Sequence, residues 1–359
     1  MMSGRVVIGM SGGVDSSVAA AVLKEQGYEV IGVTMRLWDG ENINDNIAES
    51  TCCGASAVED ARRVAYKLGI EHHVLDFRKE FSEHVVDYFV DEYVNGKTPN
   101  PCIACNKFLK FDAMAKKADI LEAEYIATGH YAKIEYDSNI GRYLLKRANA
   151  DAKDQTYALY NLTQKQMSRL LLPLGNFEDK QAVRKYAEEN GLATADKPDS
   201  QEICFVPDND YVSFIKRRIG SLPEEGSFVD LEGNVLGTHK GVVNYTVGQR
   251  KGLGIAFGKP MFVIRIDAAK NEVVLGEQGT EFSDTLYAVR PNFILFDELK
   301  EPIRVAAKVR YSAKPALCTV SYEGERLKLV FDEPQRAITP GQAVVMYDGE
   351  IVVGGATII

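Results

Sequence analysis

The chain has 359 residues, of which 45% are hydrophobic and 26% are charged, and its formal net charge is −9. This composition is typical of a globular protein with a sizeable core, and the length suggests about two or three domains. No apolar run reaches the roughly 18 residues that a membrane helix needs, so we expect no membrane partner, and the acidic balance counts only mildly against a nucleic-acid partner.

The first predicted strand ends in a glycine-rich turn that opens a helix. Residues 6–8 form a β-branched run suited to a buried parallel strand. Gly12 and Gly13 let the backbone turn sharply and let a ligand come close, and the helix after them is expected to end at Gly27. Amide groups at a helix start favour an anion, so this stretch predicts a phosphate site. A Walker A loop would need a lysine after the glycines, and a dinucleotide fingerprint would need another spacing.

The rest of the first half alternates strands with helices. Strands are predicted at 29–37, 73–77 and 125–128, helices at 55–68, 81–94 and 107–118, and a polar loop at 39–50. This alternation predicts a doubly wound parallel sheet with helices on both faces. Ligands of such sheets lie beyond the carboxyl ends of the strands, where the opening loop, Met35 and Gly129-His130 fall.

The pattern changes near residue 207. From Ser227 onward the predicted strands are short and turn signals are frequent, and Asp348-Gly349 between apolar runs predicts a hairpin. A second break near residue 280 is expected. The predicted domains are therefore 1–206, 207–280 and 281–359, with an α/β domain first, a small central domain next and a β-barrel last.

Six cysteines are few for this length, so a secreted disulfide framework is not expected. The chain enters a strand almost at once, which leaves no room for a secretory signal, and no arginine-rich transit segment is visible. We therefore expect a cytoplasmic protein. Cys52-Cys53 are adjacent and are interpreted as structural, and Cys318 is expected in a core strand.

Three other cysteines are candidates for chemistry. Cys102 and Cys105 are predicted in a loop just before the helix at Lys107, a setting that favours the thiolate. Cys204 is remote in the sequence, but it could meet one of the loop cysteines over the nucleotide site. One of the two would then act as nucleophile, and the other as sulfur carrier or resolving thiol. A zinc knuckle and plain core burial of Cys204 remain alternatives.

Basic residues cluster in three places. In the predicted strand 303–311, Arg304, Lys308 and Arg310 alternate with apolar residues, which predicts a basic stripe suited to phosphates. Residues 216–218 and 250–251 are two further basic clusters. Solvated surface charge is the alternative for any one of them.

Several motifs occur together along the chain: G-M-S-G-G-V-D-S-S at 9–17, T-P-N-P-x-x-x-C-N-K at 98–107, A-T-G-H-Y at 127–131, K-D-Q at 153–155, D-S-Q-E-I-C-F at 199–205, G-Q-R-K-G-L-G-I at 248–255, V-R-Y at 309–311 and T-P-G-Q at 339–342. In this order they resemble the bacterial and organellar tRNA-specific 2-thiouridylases, which belong to the ATP pyrophosphatase superfamily with its pyrophosphate loop. The resemblance covers nearly the whole chain.

The resemblance implies a tRNA-uridine 2-sulfurtransferase. ATP, with Mg²⁺, would adenylate O2 of the wobble uridine at position 34, and a persulfide sulfur would then replace that oxygen, giving 2-thiouridine, AMP and pyrophosphate. It implies an adenine nucleotide α-hydrolase-like first domain and a C-terminal barrel that contacts tRNA. The implied partners are tRNA and a persulfide donor, either a cysteine desulfurase or a relay protein, and not DNA.

The resemblance also implies roles for individual residues. The catalytic residues would be Cys105 as nucleophile, Cys204 as persulfide carrier, and Asp15. Matching nucleotide contacts are Gly9, Met10, Ser11, Gly12, Gly13, Val14, Asp15, Ser16, Met35 and Gly129. Matching tRNA contacts are Asn100, Pro101 and Cys102 at the target base, together with His130, Lys153, Asp154, Gln155, Arg310, Tyr311 and Gln342.

One departure from the family leaves alternatives open. Many members have Asp where this chain has Cys102, and some related tRNA thiolases hold a [4Fe–4S] cluster on three cysteines. Cys102, Cys105 and Cys204 are the residues for such a cluster here, as an alternative to the persulfide route. Another adenylating enzyme, such as a synthetase, and a non-catalytic tRNA-binding or iron–sulfur protein are the remaining alternatives.

Overall fold

The computed structural model describes residues 4–38, 55–198, 203–206, 208–255 and 258–359. Cys52-Cys53, the predicted loop 39–50 and the first four residues of the motif at 199–205 lie outside the described residues. The chain divides into two compact units. The first unit comprises Met1–Val85, Cys102–Asn209 and Glu350–Val352, and the second comprises Val86–Pro101, Asp210–Gly349 and Val353–Ile359.

The secondary structure of the described residues is as follows. The strands are β1 Arg5–Gly9, β2 Glu29–Arg36, β3 Glu71–Asp76, β4 Tyr125–Ala127, β5 Ala132–Asp137, β6 Arg142–Arg147, β7 Leu170–Leu171, β8 Gly226–Val229, β9 Val235–His239, β10 Met261–Asp267, β11 Glu272–Glu277, β12 Phe282–Phe293, β13 Ile303–Lys308, β14 Ala316–Glu323, β15 Arg326–Arg336, β16 Ala343–Asp348 and β17 Ile351–Ile358. The α-helices are Val14–Glu25, Ala55–Leu68, Arg78–Phe81, Asp87–Val94, Pro101–Ala104, Met114–Ile120, Gln164–Met167, Lys180–Glu189 and Tyr211–Ile219. Ser82–Val86 and Cys105–Ala113 are π-helical, and short 3₁₀ turns occur at Asp151–Lys153, Thr156–Ala158, Pro173–Asn176 and Val242–Asn244.

A five-stranded parallel sheet lies at the centre of the first unit, in the order β3-β2-β1-β4-β7. Its central strand β1 is fully buried at residues 6–8, as its β-branched run predicts. Ile8 packs in one core with Val18 of the first helix, whereas the next residue, Gly9, faces Met114 on the opposite side. Helices therefore cover both faces, and the predicted doubly wound fold is confirmed.

The prediction of a loop around Cys102 and Cys105 is wrong. Both cysteines lie in one helical run that begins at Pro101 and continues to Ile120. Pro and Asn usually mark loops, but proline is also favoured at the first position of a helix, where its missing N–H costs nothing and its φ is already helical.

The hairpin of β5 and β6 was not predicted. Ala132 pairs with Arg147 and Asp137 with Arg142, and Lys146 pairs with Ile351, which the chain brings back from its far end. The strands themselves are short and mostly half-buried, so their alternation in the sequence is weak.

The second unit is rich in β-structure, as predicted from Ser227 onward. One sheet has the order β10-β11-β8-β9, and the last six strands run β12-β15-β14-β13-β16-β17 and close into a barrel through pairing of β12 with β17. Gly349 has φ +56 at the predicted hairpin between β16 and β17. In β13, Val305 and Ala307 are buried as predicted, although the strand ends at Lys308 rather than at residue 311.

The helix Asp87–Val94 also belongs to this unit. Its Tyr93 ring lies 4.7 Å from the ring of Tyr211, and Asp87 pairs with Arg218 at 2.7 Å. Among the helices that the structure describes, none combines the length and apolar character needed to cross a bilayer.

Candidate nucleotide and thiol site

The loop between β1 and the first helix leaves the start of that helix open to a ligand. Gly13 is the N-cap residue, with extended backbone, and no side chain caps the helix. The first helical hydrogen bond runs from the amide of Ser17 to the carbonyl of Gly13, at 3.2 Å. An uncapped helix N-terminus at the carboxyl end of a parallel strand suits a phosphate group.

Two serine hydroxyl groups hold the loop in shape. Ser16 Oγ donates to the Gly13 carbonyl at 3.1 Å and accepts from the Ser11 amide at 3.2 Å, and Ser17 Oγ donates to the same carbonyl at 2.8 Å. Both hydroxyl-bearing side chains are buried. Ser16, a predicted nucleotide contact, thus has its side chain engaged inside the loop, where it fixes the direction of the backbone amides.

Two glycines are required by close backbone contacts at this loop. Gly12 has φ +68, and a Cβ there would lie 2.2 Å from the carbonyl oxygen of Ala57. A Cβ at Gly129 would lie 2.8 Å from the backbone of Asp15 and Ser16. The structure therefore brings Gly129, predicted from the end of β4, directly against the opening loop.

The predicted contacts Met10, Val14 and Met35 lie on the same side of the sheet edge. Met10 and Val14 are buried, so only their backbone is available to a nucleotide, while Met35 in β2 is half-buried. Thr34 Oγ1 donates to the Met10 carbonyl at 2.8 Å and lies 2.9 Å from His72 Nε2. Burial lowers the pKa of His72, so the ring is neutral where it meets Thr34.

Asp15 lies in a polar cluster that includes a residue not predicted from the sequence. Lys180 Nζ donates to both carboxylate oxygens of Asp15 at 2.8 Å, and the hydroxyl of Tyr131 donates to the same carboxylate at 2.6 Å. The lysine is 13% exposed, at the start of the helix that Asp179 caps. This cluster holds Asp15 beside the open helix start and offsets its negative charge.

The helix of Cys105 packs on the helical run that begins at Arg78. Cys102 is exposed and Cys105 is half-buried. The ring of Phe108, one turn beyond Cys105, stacks on the ring of His84 with 4.9 Å between ring centres. The side-chain amide of Asn106 donates to the carbonyl of Ala158 at 3.0 Å. These contacts fix the face of the helix on which the half-buried thiol lies.

Cys204 lies in a turn held by its neighbours. The amide of Val206 donates to the carbonyl of Ile203 at 2.8 Å, and the buried ring of Phe205 meets the ring of Phe81 edge-on at 5.6 Å. Phe81 and His84 belong to the same helical run, so the segments of Cys204 and Cys105 pack against one element within the first unit. Cys204 itself is half-buried.

The three cysteines do not form a ligand set for a metal cluster. Within the described ranges, which include Cys102, Cys105 and Cys204, no three Cys, His, Asp or Glu side chains are grouped to hold a metal ion. The donor geometry therefore does not fit a cluster on these three thiols, and we derive no step through one.

The predicted tRNA contacts of the first unit are largely engaged within it. Asp154 is buried and accepts from Thr156 Oγ1 at 2.6 Å, and Gln155 Oε1 accepts from the amide of Tyr131 at 2.9 Å. His130 is 8% exposed, with Nδ1 at 2.7 Å from Thr128 Oγ1. Burial, followed by the charge of Lys110, holds the pKa of His130 well below its usual range, so the ring is neutral. Lys153 is half-buried at the end of a 3₁₀ turn.

The predicted tRNA contacts of the second unit differ in exposure: Asn100, Arg310 and Gln342 are half-buried, and Pro101 is buried. Tyr311 is exposed, with Lys308 Nζ 5.6 Å from its ring centre, and Arg310 donates to the carbonyl of Arg336 at 2.9 Å. Arg304 is paired with Asp332 at 2.6 Å, which offsets one charge of the predicted basic stripe. Asn100 and Pro101 precede Cys102 in the chain. The side-chain amide of Gln342 donates to the carbonyl of Thr98 at 2.8 Å.

Comparisons with known proteins give consistent results along the whole chain. Three family models match in sequence order: a tRNA methyl transferase HUP domain at residues 4–208, a tRNA methyl transferase PRC-barrel domain at 212–277, and an aminomethyltransferase β-barrel domain at 283–358. A 4-thiouridine synthetase solved with RNA and ATP shares 18% identity over 60% of this chain and 50% of its own, with a TM-score of 0.35, and that likeness is too distant to support an argument.

Curated relatives are much closer. The tRNA-specific 2-thiouridylase MnmA of Clostridioides difficile is 60% identical over 99% of this chain and 98% of its own length. The protein of the same name from Acetivibrio thermocellus is 57% identical over the full length of both chains. Identity at this level over complete lengths, together with the matched domains, confirms the resemblance in the motifs: the chain belongs to the family of tRNA-specific 2-thiouridylases.

Proposed function

We propose that this protein is an ATP-dependent tRNA-uridine 2-sulfurtransferase that converts the wobble uridine of tRNA to 2-thiouridine. The observation that carries the proposal is the presence, in one compact unit, of an open helix start for phosphates and two half-buried thiols on a shared helical support. Full-length relatives named tRNA-specific 2-thiouridylases support the same activity.

In the first step, O2 of the uridine attacks the α-phosphorus of ATP. An O–P bond forms, the bond to the β-phosphate bridging oxygen breaks, and pyrophosphate leaves. Amides of residues 12–16 at the open helix start face the departing phosphates, and the Asp15–Lys180 pair adds an ammonium at the same place. Mg²⁺ would bind mainly to phosphate oxygens of ATP, because the Asp15 carboxylate is already paired with Lys180 and Tyr131.

In the second step, the terminal sulfur of a Cys204 persulfide attacks C2 of the adenylated base and AMP leaves. The Cys105 thiolate then attacks the sulfur of Cys204 itself, which releases 2-thiouridine and leaves a Cys105–Cys204 disulfide. A dithiol reductant must restore both thiols, and a persulfide donor, either a cysteine desulfurase or a relay protein, must reload Cys204. Adenylation is required because a carbonyl oxygen leaves poorly, whereas AMP leaves readily.

The remaining assignments follow from this role. The chain is divided into an ATP-binding catalytic domain (1–206), a small central domain (207–280) and a tRNA-contacting barrel (281–359), in agreement with the order of the matched family models. Its substrate is tRNA rather than DNA, and we expect the reaction to take place in the cytoplasm. Asn100–Cys102 contact the target base, and Arg310 and Tyr311 contact the tRNA.

The decisive experiment is nucleoside mass spectrometry of tRNA treated with the purified protein, ATP and a persulfide donor. We expect a sulfur-for-oxygen mass increase at uridine, and tRNA-stimulated exchange between ATP and pyrophosphate. No mass change at uridine in this complete mixture would contradict the proposed function.

Cys105→Ala is expected to abolish thiolation and to retain the exchange reaction. Cys318→Ala is the matched control, because Cys318 is buried in the barrel core and its pKa is raised to about 12 by burial, so it does not react. Thiolation by Cys105→Ala at the wild-type rate would refute the proposed mechanism.

A further inference from the structure

Residues 96–100 lead into the helix of Cys102 and Cys105, and backbone hydrogen bonds constrain this segment from Gly96 onward. The preceding helix ends with the amide of Gly96 donating to the Tyr93 carbonyl at 3.0 Å and that of Lys97 donating to Glu92 at 2.9 Å. Gly96 has φ +72, and a Cβ there would lie 2.7 Å from the side chain of Ile266. This glycine terminates the helix, and residues 97–100 that follow form neither helix nor strand.

The turn Thr339–Gln342 of the terminal barrel forms hydrogen bonds with the backbone of Thr98 and Pro99. The Thr98 amide donates to the carbonyl of Pro340 at 2.9 Å. The Gln342 side-chain amide donates to the Thr98 carbonyl at 2.8 Å and reaches the Pro99 carbonyl at 3.4 Å. Backbone groups on both sides of Thr98 are thus bonded to one turn, all within the second unit.

That turn is itself tied to the last strand of the barrel. The amide of Gly341 donates to the carbonyl of Ile358 at 3.0 Å, and the amide of Ile358 donates to the carbonyl of Gln342 at 2.8 Å. Gly341 has φ +91, and a Cβ there would lie 3.0 Å from the Thr98 nitrogen. Only glycine allows the turn to approach Thr98 this closely without strain.

We propose that Gln342 is a positioning residue for the target-base segment. Its amide is used on the peptide carbonyls of Thr98 and Pro99, and Asn100 and Pro101 follow at once in the chain. Holding two peptide planes sets the direction in which Asn100 leaves the turn and in which the helix of Cys105 begins. This inference deepens the proposed function and rests on it for the role of Asn100.

Gln342→Glu tests the proposal, because it keeps the size of the side chain but replaces the donor with a carboxylate that repels the carbonyls. Gln342→Ala is the second variant, and Gln335→Ala is the matched control, since Gln335 is a half-buried barrel glutamine whose side-chain amide donates to the carbonyl of Glu333 at 2.8 Å. Hydrogen exchange of the Thr98 amide, which donates to the Pro340 carbonyl of the same turn, reports whether the turn still holds this segment, without reference to activity. Thiolation kcat and the tRNA Kd are measured alongside.

We expect exchange of the Thr98 amide to speed up about 10-fold in both Gln342 variants, because its bond to the Pro340 carbonyl is weakened when the Gln342 side chain no longer holds Thr98 against the turn. The kcat should fall about 10-fold or more, because small misplacements of reacting groups are costly, while the tRNA Kd stays at the wild-type value. A raised Kd with unchanged exchange and kcat would overturn the proposal. If the wild-type chain forms no 2-thiouridine, the proposed function fails, and the exchange data alone decide whether Gln342 holds this segment.

Discussion

At the scale of single residues, the most informative group is the cluster around Asp15. The sequence places Asp15 beside the glycine turn, and the G-M-S-G-G-V-D-S-S motif is enough to predict it. Lys180 is 165 positions away and belongs to no motif that we identified, so only the folded chain brings its ammonium to the carboxylate. Tyr131 was part of a motif, but its hydroxyl contact with Asp15 was not predicted.

Lys180→Ala should raise the KM for ATP about 10-fold, because the Asp15 carboxylate would then face the triphosphate without its ammonium partner. Steady-state ATP–pyrophosphate exchange measures this effect. Lys185→Ala is the matched control, since that lysine lies on the same helix, is exposed and pairs with Glu189. Equal KM values for the two variants would contradict the role of Lys180.

His130 predicts a pH dependence of stability. Burial, then the charge of Lys110, lowers its pKa in the folded protein well below its ordinary value of about 6.5, so the unfolded chain binds the proton more readily. The stabilisation from neutral His130 is complete above pH 6.5 and is lost as the pH falls below 6.5. Urea unfolding at pH values on both sides of 6.5 measures the free energy of unfolding. As the pH falls, this free energy should decrease less in His130→Gln than in the wild type. A change of equal steepness in both proteins would refute the assignment.

At the scale of elements, the sequence predicted most strands and helices between residues 5 and 128 to within a few residues, but it predicted neither the β5–β6 hairpin nor the helix Lys180–Glu189. Strand β1 is a continuous apolar run, the first helix is apolar around most of its surface, and the helix Ala55–Leu68 has strong apolar periodicity, so local patterns reveal all three. The start of the Cys105 helix was misplaced because Pro101 was interpreted as a loop residue. The placement of the Cys204 turn depends on ring packing between Phe205 and Phe81, which has no local signal.

Phe205→Ala should slow sulfur transfer while leaving adenylation unchanged. The ring anchors the turn that carries Cys204, and its loss costs on the order of 3 kcal/mol of unfolding free energy at a buried site. Single-turnover thiolation reports the transfer step, and tRNA-stimulated ATP–pyrophosphate exchange reports adenylation. Phe205→Leu fills most of the volume and should restore transfer, and equal loss of both steps in Phe205→Ala would argue against a specific anchoring role.

At the scale of the whole molecule, neither compact unit is a continuous piece of chain. Val86–Pro101 belongs with the second unit, and Glu350–Val352 belongs with the first. The helix Asp87–Val94 buries Phe89 and Tyr93, whose rings meet those of Phe214 and Tyr211. A chain that ends before Tyr211 therefore lacks the aromatic partners of this helix.

A chain truncated after residue 209 should lose stability even though it retains the whole parallel sheet. Phe89 and Tyr93 would be exposed to water without their aromatic partners, and exposure of such large side chains promotes association. A lower Tm than the full chain and stronger binding of a hydrophobic dye are the expected results. A truncated chain that unfolds at the full-length Tm would show that the helix Asp87–Val94 does not need the second unit.

The sequence by itself determined the α/β character of the first half, the β character of the second, the phosphate-binding loop and the family. These features depend on residues close together in the chain, or on motifs that keep a fixed order, and local periodicity and turn chemistry express them directly. Only the tertiary structure decided that Lys180 meets Asp15, that Phe205 anchors Cys204 and that Gln342 holds Thr98. Each of these contacts joins distant parts of the chain, and no local pattern specifies which distant partner a side chain will meet once the core has packed.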